Sequence, residues 1–151
     1  MNILGRLYST FFEGLYGRDL SDFLWGFTGV DFSGQNLYNS IGLIAFIVSA
    51  VVMVVYHFIW DSASIHKLRY WFITMIANFI INLCIGVGVL LPKFKQGYIP
   101  SMLNVDSLNC WMFGLANGIM SILFFIILSV MFKRFANNTR NTPWKSLWPK
   151  Y

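Results

Sequence analysis

The side chains best suited to chemistry in this sequence are amides and small residues inside long uncharged segments. Thr74, Asn78, Asn82 and Gly86 follow one another at intervals of four residues, which places them on one stripe of a helix. Hydrocarbon cannot satisfy the donors and acceptors of the two asparagine amides. The stripe must therefore face another helix, a second copy of the chain, or water.

A second stripe of the same kind occurs later in the chain and consists of Gly114, Asn117, Gly118 and Ser121. Its two glycines form a GxxxG pattern, which allows two helices to approach closely. Two interpretations are open for both stripes. The favoured one is helix–helix packing within a bundle, and the other is a polar conduit lined by asparagines at the centre of an oligomer. A three-helix bundle has little interior, so two polar stripes favour self-association.

Catalytic and metal-binding chemistry is poorly represented. His57 and Asp61 are four residues apart and His66 follows them, but two histidines with one carboxylate make a poor metal site. A histidine at the membrane interface, paired with Asp61, is the favoured interpretation. The sequence contains no nucleophile elbow, phosphate-binding loop or dinucleotide fingerprint. We therefore expect no enzymatic activity, no cofactor and no metal.

The composition indicates which elements carry these residues. The chain has 151 residues, of which 57% are hydrophobic and 11% are charged, whereas soluble domains carry about 25% charged residues. Eleven basic and six acidic side chains are too few to coat a water-soluble globule, and an aromatic content of 19% excludes disorder. The sequence therefore predicts an integral membrane protein.

Three uncharged segments, 37–60, 70–91 and 109–132, are long enough to cross a hydrocarbon core of about 30 Å. Because no charge lies inside them, a pump, a voltage sensor or an ion-coupled transporter is disfavoured, whereas a passive pore or a scaffold is compatible. Tryptophans near the span ends and in the tail are expected to be interfacial anchors. They are Trp60, Trp71, Trp111, Trp144 and Trp148.

The region before the first span shows helical amphipathicity. Apolar pairs such as Leu7-Tyr8 and Phe11-Phe12 recur every four residues with polar residues between them, and a second short piece follows at 20–27. We expect one or two helices that lie in the membrane interface or pack on the spans or a neighbouring subunit; the alternatives are compatible. The predicted organisation is an amphipathic region over 1–35, a transmembrane domain over 36–132 and a basic, aromatic tail over 133–151.

The distribution of positive charge predicts the topology. Five of the eleven basic residues lie in the tail, so the positive-inside rule favours an outer N-terminus and a cytoplasmic C-terminus. We expect the bacterial inner membrane as the location. A basic tail beside a span is typical of contact with anionic lipid rather than with nucleic acid.

The sequence thus predicts an all-α integral membrane protein with three transmembrane helices preceded by one or two amphipathic interfacial helices. The predicted function is a homo-oligomeric pore, a channel or a membrane-perturbing effector. The alternative is a non-catalytic anchor or accessory subunit of a larger envelope complex. Expected partners are the lipid bilayer, a second copy of the chain, and a soluble or membrane protein docked on the N-terminal helices or the tail.

Overall fold

A computed structural model describes residues 3–59 and 68–132, and every regular element within these ranges is a helix. Three of the helices are long and apolar enough to cross a membrane, so the predicted fold class is confirmed. Trp60, Asp61, His66 and the tail with Trp144 and Trp148 lie outside the described residues. The helices are α1 (Ile3–Tyr16), α2 (Arg18–Trp25), α3 (Leu37–Val54, continued by a π-helical turn at Val55–Ile59), α4 (Leu68–Lys95) and α5 (Ser107–Phe132).

Helix α4 is longer than the segment predicted from the sequence, which ended before Pro92. The helix continues through Pro92 to Lys95, although a proline inside a helix removes one N–H donor and its ring crowds the carbonyl four residues earlier. It then stops at Gly97, whose φ of 72° is left-handed, and the N–H of Tyr98 donates to the carbonyl of Lys93 at 3.0 Å. This pattern is a Schellman motif, which satisfies the last carbonyls of the helix.

The three long helices form a bundle in which α4 is antiparallel to α3 and α5. Ser49 of α3 bonds to the carbonyl of Ser121, and His57 of α3 meets Ser129 of α5, so α3 and α5 run parallel. We name the two ends of the bundle by this arrangement. The loop end is where α3 and α5 begin, and the tail end is where they finish.

The N-terminal helix α1 packs against α3 and α5 at the loop end. The carbonyl of Tyr16 accepts a hydrogen bond of 2.8 Å from Nδ2 of Asn109, and the hydroxyl of Tyr8 donates to Oδ1 of Asn117 at 2.6 Å. Tyr8 and Tyr16 are eight residues apart in α1, and Asn109 and Asn117 are eight residues apart in α5, which is about 12 Å along each helix. Helix α1 therefore runs antiparallel to α5, from the middle of the bundle toward the loop end.

The outward side of α1 remains apolar. The exposed fractions of Ile3, Phe11 and Leu15 are 59%, 69% and 42%. Packing on the spans, one of the two predicted alternatives, is therefore observed together with an outer surface suited to lipid or to a partner.

Residues 26–36 and 96–106 fold against each other at the loop end, and we call them the loop-end cap. A Cβ atom on Gly29 would lie 3.5 Å from Pro100, which brings the two segments into contact. Within the cap, hydrogen bonds from Ser33 and Thr28 lower the pKa of the exposed Asp31 carboxyl. A charged Asp31 thus organises this turn.

Candidate functional site: a buried polar network

Asn78 lies where the three long helices meet. Its Nδ2 donates to Oγ of Ser49 at 3.1 Å and to the carbonyl of Ser121 at 3.0 Å. Asn78, Ser49 and Ser121 are all completely buried. One amide of α4 is therefore bonded to both α3 and α5, and the first polar stripe faces the interior of the bundle.

Asn117 extends this network to α1. Its Nδ2 donates to the backbone carbonyl of Asn82 at 2.6 Å, and its Oδ1 accepts from Tyr8. The side chain of Asn117 therefore uses donor and acceptor together and links α1, α4 and α5 inside the hydrocarbon.

Asn82 contributes differently from Asn78. Its Nδ2 donates to the backbone carbonyl and to Oδ1 of Asn78, at 3.0 and 3.1 Å, within the same helix. Its Oδ1 is the one buried side-chain polar atom without a hydrogen-bond partner in the described part of the chain. A buried acceptor of this kind opposes folding by roughly 1–3 kcal/mol.

The glycines of the two stripes let α4 and α5 approach closely. A Cβ atom on Gly114 would lie 2.4 Å from Cγ2 of Val87, and one on Gly118 would lie 2.7 Å from the ring of Phe79. Gly86 faces Gly114 in the same contact, where a Cβ atom on Gly86 would lie 3.0 Å from Cα of Gly114. The GxxxG pattern is therefore occupied by another helix of the same chain.

Thr74 lies outside the central network. Its hydroxyl donates to the carbonyl of Tyr70 one turn earlier, at 2.8 Å. The Ser121 hydroxyl likewise donates to the carbonyl of Gly118 at 2.7 Å. Such local bonds satisfy a hydroxyl within its own helix.

A second polar cluster lies at the loop end. Tyr38 donates to Oγ of Ser21 at 2.9 Å, and Ser21 donates to Oε2 of Glu13 at 3.2 Å. Because the single hydroxyl proton of Tyr38 is used in this way, the Tyr16 hydroxyl donates to Tyr38 across 2.6 Å. Burial raises the pKa of Tyr8 and, together with the neighbouring Tyr38, that of Tyr16. These tyrosines remain protonated hydrogen-bond donors.

A third polar cluster lies at the tail end. Ser129 Oγ accepts from Nε1 of Trp71 at 3.0 Å and lies 2.7 Å from Nε2 of His57. His57 belongs to the π-helical turn. A layer of buried Met53 and Phe125 separates this cluster from the central network.

At the tail end, two of the predicted residues lie inside the bundle. Trp71, predicted to be an interfacial anchor, is only 5% exposed, and its indole N–H is bonded to Ser129. His57, predicted at the membrane interface, is also buried within the bundle. Trp111, by contrast, is 51% exposed in the first turn of α5, as contact with the membrane interface requires.

Ser49 shares one side of the first span with Gly42, Ala50 and Met53, and this side faces the central network. Tyr8 and Ser129 are members of the networks that the sequence did not predict. For Tyr8 a signal exists, because a buried tyrosine hydroxyl usually finds a hydrogen-bond partner. For Ser129 there is no comparable signal, since a serine in a span can bond within its own helix.

Across residues 3–59 and 68–132, no group of three or more His, Cys, Asp or Glu side chains is arranged to hold a metal ion. The central network consists of uncharged amides, hydroxyls and backbone groups. The fold and this interior define a small, polytopic, all-helical membrane protein. The chain matches no protein-family model, no curated protein and no solved structure.

Proposed function

We propose that this chain is a non-catalytic membrane anchor or accessory subunit of a larger membrane complex. The observation that carries this proposal is that the polar groups of the spans are buried and bonded within one chain, as at Asn78 and Asn117. A conduit shared between copies needs polar side chains on the outward surface of the bundle. The outward stripe of α4 is instead apolar, with exposed Ile73, Ile76 and Ile80.

Two polar stripes in a three-helix bundle favour self-association only if the chain itself provides no partners for them. Tyr8 of α1 and Ser49 of α3 provide such partners. This arrangement supports a bundle whose polar groups are bonded within one chain and which acts as a subunit for another protein.

The loop-end cap is the surface on which we expect that protein to dock. Val30, Phe32, Tyr98 and Met102 are exposed there by 92%, 60%, 67% and 66%. Beside them lies a cleft of about 250 Å³ that includes Lys93. Exposed apolar residues that cluster in this way mark interaction surfaces, so the partner presents a complementary apolar surface.

Affinity purification of the tagged full chain from its native membrane, in mild detergent, tests this proposal. We expect a foreign subunit in stoichiometric amount, and its loss when Val30→Glu and Phe32→Glu are combined. Combined Gln35→Glu and Gln96→Glu is the matched control, because it introduces the same two charges at exposed positions of the same cap. Recovery of the chain alone, or retention of the subunit by the double variant, would contradict the proposal.

A pore is the second candidate, and a specific observation favours it. Polar groups extend from the half-buried Glu13 through the buried tyrosines to Asn82, whose Oδ1 has no partner. The buried ring of Phe125 interrupts them before the tail-end cluster. A hydrophobic layer of this kind can gate a polar pathway. Such a pathway would run inside one chain.

Flux through purified protein in liposomes separates the two candidates. As a pore, Phe125→Ala should increase the passage of small ions relative to the wild type. Asn82→Leu, which keeps the bonds of Asn78 to the other helices, should abolish that flux while the protein stays folded. If the chain is an anchor, neither the wild type nor Phe125→Ala should allow small ions to pass.

We also infer an outer N-terminus, a cytoplasmic C-terminus and the bacterial inner membrane as the location, from the basic tail. Ser101 is exposed at the loop end, so Ser101→Cys combined with Cys84→Ser and Cys110→Ser gives a variant with one cysteine, on that side. An impermeant maleimide should label it in intact spheroplasts. Labelling only after lysis would indicate the opposite orientation.

A further inference from the structure

The groove between α3 and α5, on the side away from α4, has two halves. Helix α1 fills the loop-end half. A Cβ atom on Gly42 would lie 3.3 Å from Leu4 and 3.2 Å from Tyr8, and the rings of Tyr8 and Phe113 stack at 5.9 Å. The first described residue of α1, Ile3, marks the end of this covered half.

The tail-end half of the groove is a cavity of about 670 Å³. Its walls are apolar side chains of α3 and α5, and no residue of α4 lines it. Five of these side chains are exposed by 40% to 56%, although Met53 and Leu128 beside them are buried. The walls include Phe46, Ala50 and Val54 of α3 and Ile127, Leu128 and Met131 of α5.

The length of this half-groove matches one leaflet of a bilayer. It extends along α3 from Phe46 to Phe58, a distance of about 18 Å at 1.5 Å per residue. Half of a hydrocarbon core is about 15 Å thick. An acyl chain from the leaflet at the tail end can therefore lie along it, whereas α1 occupies the half that faces the opposite leaflet.

Charge at the tail end favours one class of lipid. Phe132, the last residue of α5, lines the mouth of the groove, and Lys133 and Arg134 follow it directly in the sequence. Basic residues at the end of a span attract anionic headgroups. We propose that the tail-end half of the α3–α5 groove binds an acyl chain of an anionic phospholipid.

Native mass spectrometry of the full chain, washed in detergent after exposure to phosphatidylglycerol or phosphatidylcholine, tests the proposal. We expect one retained phosphatidylglycerol per chain, and at least tenfold less retention for Ala50→Phe, which fills the groove. Ile80→Phe is the matched control, because it enlarges an exposed apolar side chain on the outward face of α4. Should Ala50→Phe fail to fold, Ile127→Trp at the exposed rim replaces it.

The basic pair is tested separately from the groove. Lys133→Gln with Arg134→Gln should remove the preference for phosphatidylglycerol over phosphatidylcholine. The proposal is overturned if the groove-filling variants retain phosphatidylglycerol at the wild-type level, if Ile80→Phe loses as much lipid as they do, or if the wild type retains both lipids equally.

Discussion

The hydroxyl of Tyr8 donates a hydrogen bond of 2.6 Å to Oδ1 of Asn117, a residue 109 positions away in the chain. Both side chains are completely buried, and Asn117 in turn donates to the carbonyl of Asn82. This bond couples the N-terminal helix to the centre of the bundle. Helix α1 is therefore packed as a fourth helix of the bundle.

Removal of this bond should destabilise the whole bundle. Tyr8→Phe keeps the ring but leaves Oδ1 of Asn117 buried without a donor, which lowers the free energy of unfolding by about 1–3 kcal/mol. Thermal unfolding in detergent measures the change. Tyr98→Phe is the control, because its side chain is 67% exposed. Equal midpoints for the two variants would refute the role assigned to Tyr8.

The two asparagines of α4 should differ in their contribution to stability. Asn78→Leu removes the bonds to Ser49 and Ser121 on two other helices, each worth about 0.6–2 kcal/mol in a membrane. Asn82→Leu removes bonds within α4 and also eliminates an unpartnered buried acceptor. We expect a large fall in the denaturation midpoint for Asn78→Leu and a small change for Asn82→Leu. The reverse order would contradict the network described here.

Close packing of α4 and α5 should make Gly114 intolerant of even one methyl group. Gly114→Ala places a Cβ against Val87 and the carbonyl of Leu83, and overpacking of this kind lowers stability by about 1–3 kcal/mol. Gly88→Ala is the matched control in α4, since its Cβ would meet nothing within 4 Å. Unfolding in detergent should separate the two variants, and similar stabilities would exclude the tight contact.

Alkaline pH should weaken the loop end of the bundle. Burial raises the pKa of Tyr8 and Tyr16 in the folded protein, whereas an unfolded tyrosine titrates near 10. Below about pH 10 both states are protonated and the stabilisation is complete. Above that pH the unfolded state ionises first, so stability falls as pH rises.

Circular dichroism melts between pH 8 and pH 11 measure this loss. Tyr16→Phe should reduce the slope of the melting temperature against pH, because one buried titrating group is gone. Tyr98→Phe, at an exposed position, should leave the slope unchanged. An identical slope in the wild type and Tyr16→Phe would argue against the assignment.

The sequence predicted the three spans well, with errors at their ends. Hydrophobic length identified α3 and α5 within a few residues, but α4 continues past Pro92 to Lys95, although a proline usually ends or kinks a helix. The polar stripes were also recognisable, since an asparagine at membrane depth must find a partner. The burial of Trp71 could not be predicted, because a position near a span end does not say which face of the helix a residue occupies.

By itself, then, the sequence determined that the chain resides in a membrane, which segments span it and which residues must be satisfied inside it. These properties follow from composition and spacing along one helix, and a hydrocarbon solvent enforces them locally. Only the tertiary structure decided which groups satisfy them. Tyr8 and Ser49 meet the asparagines because of the rotation and register of separate helices, and these are set by the packing of the whole bundle.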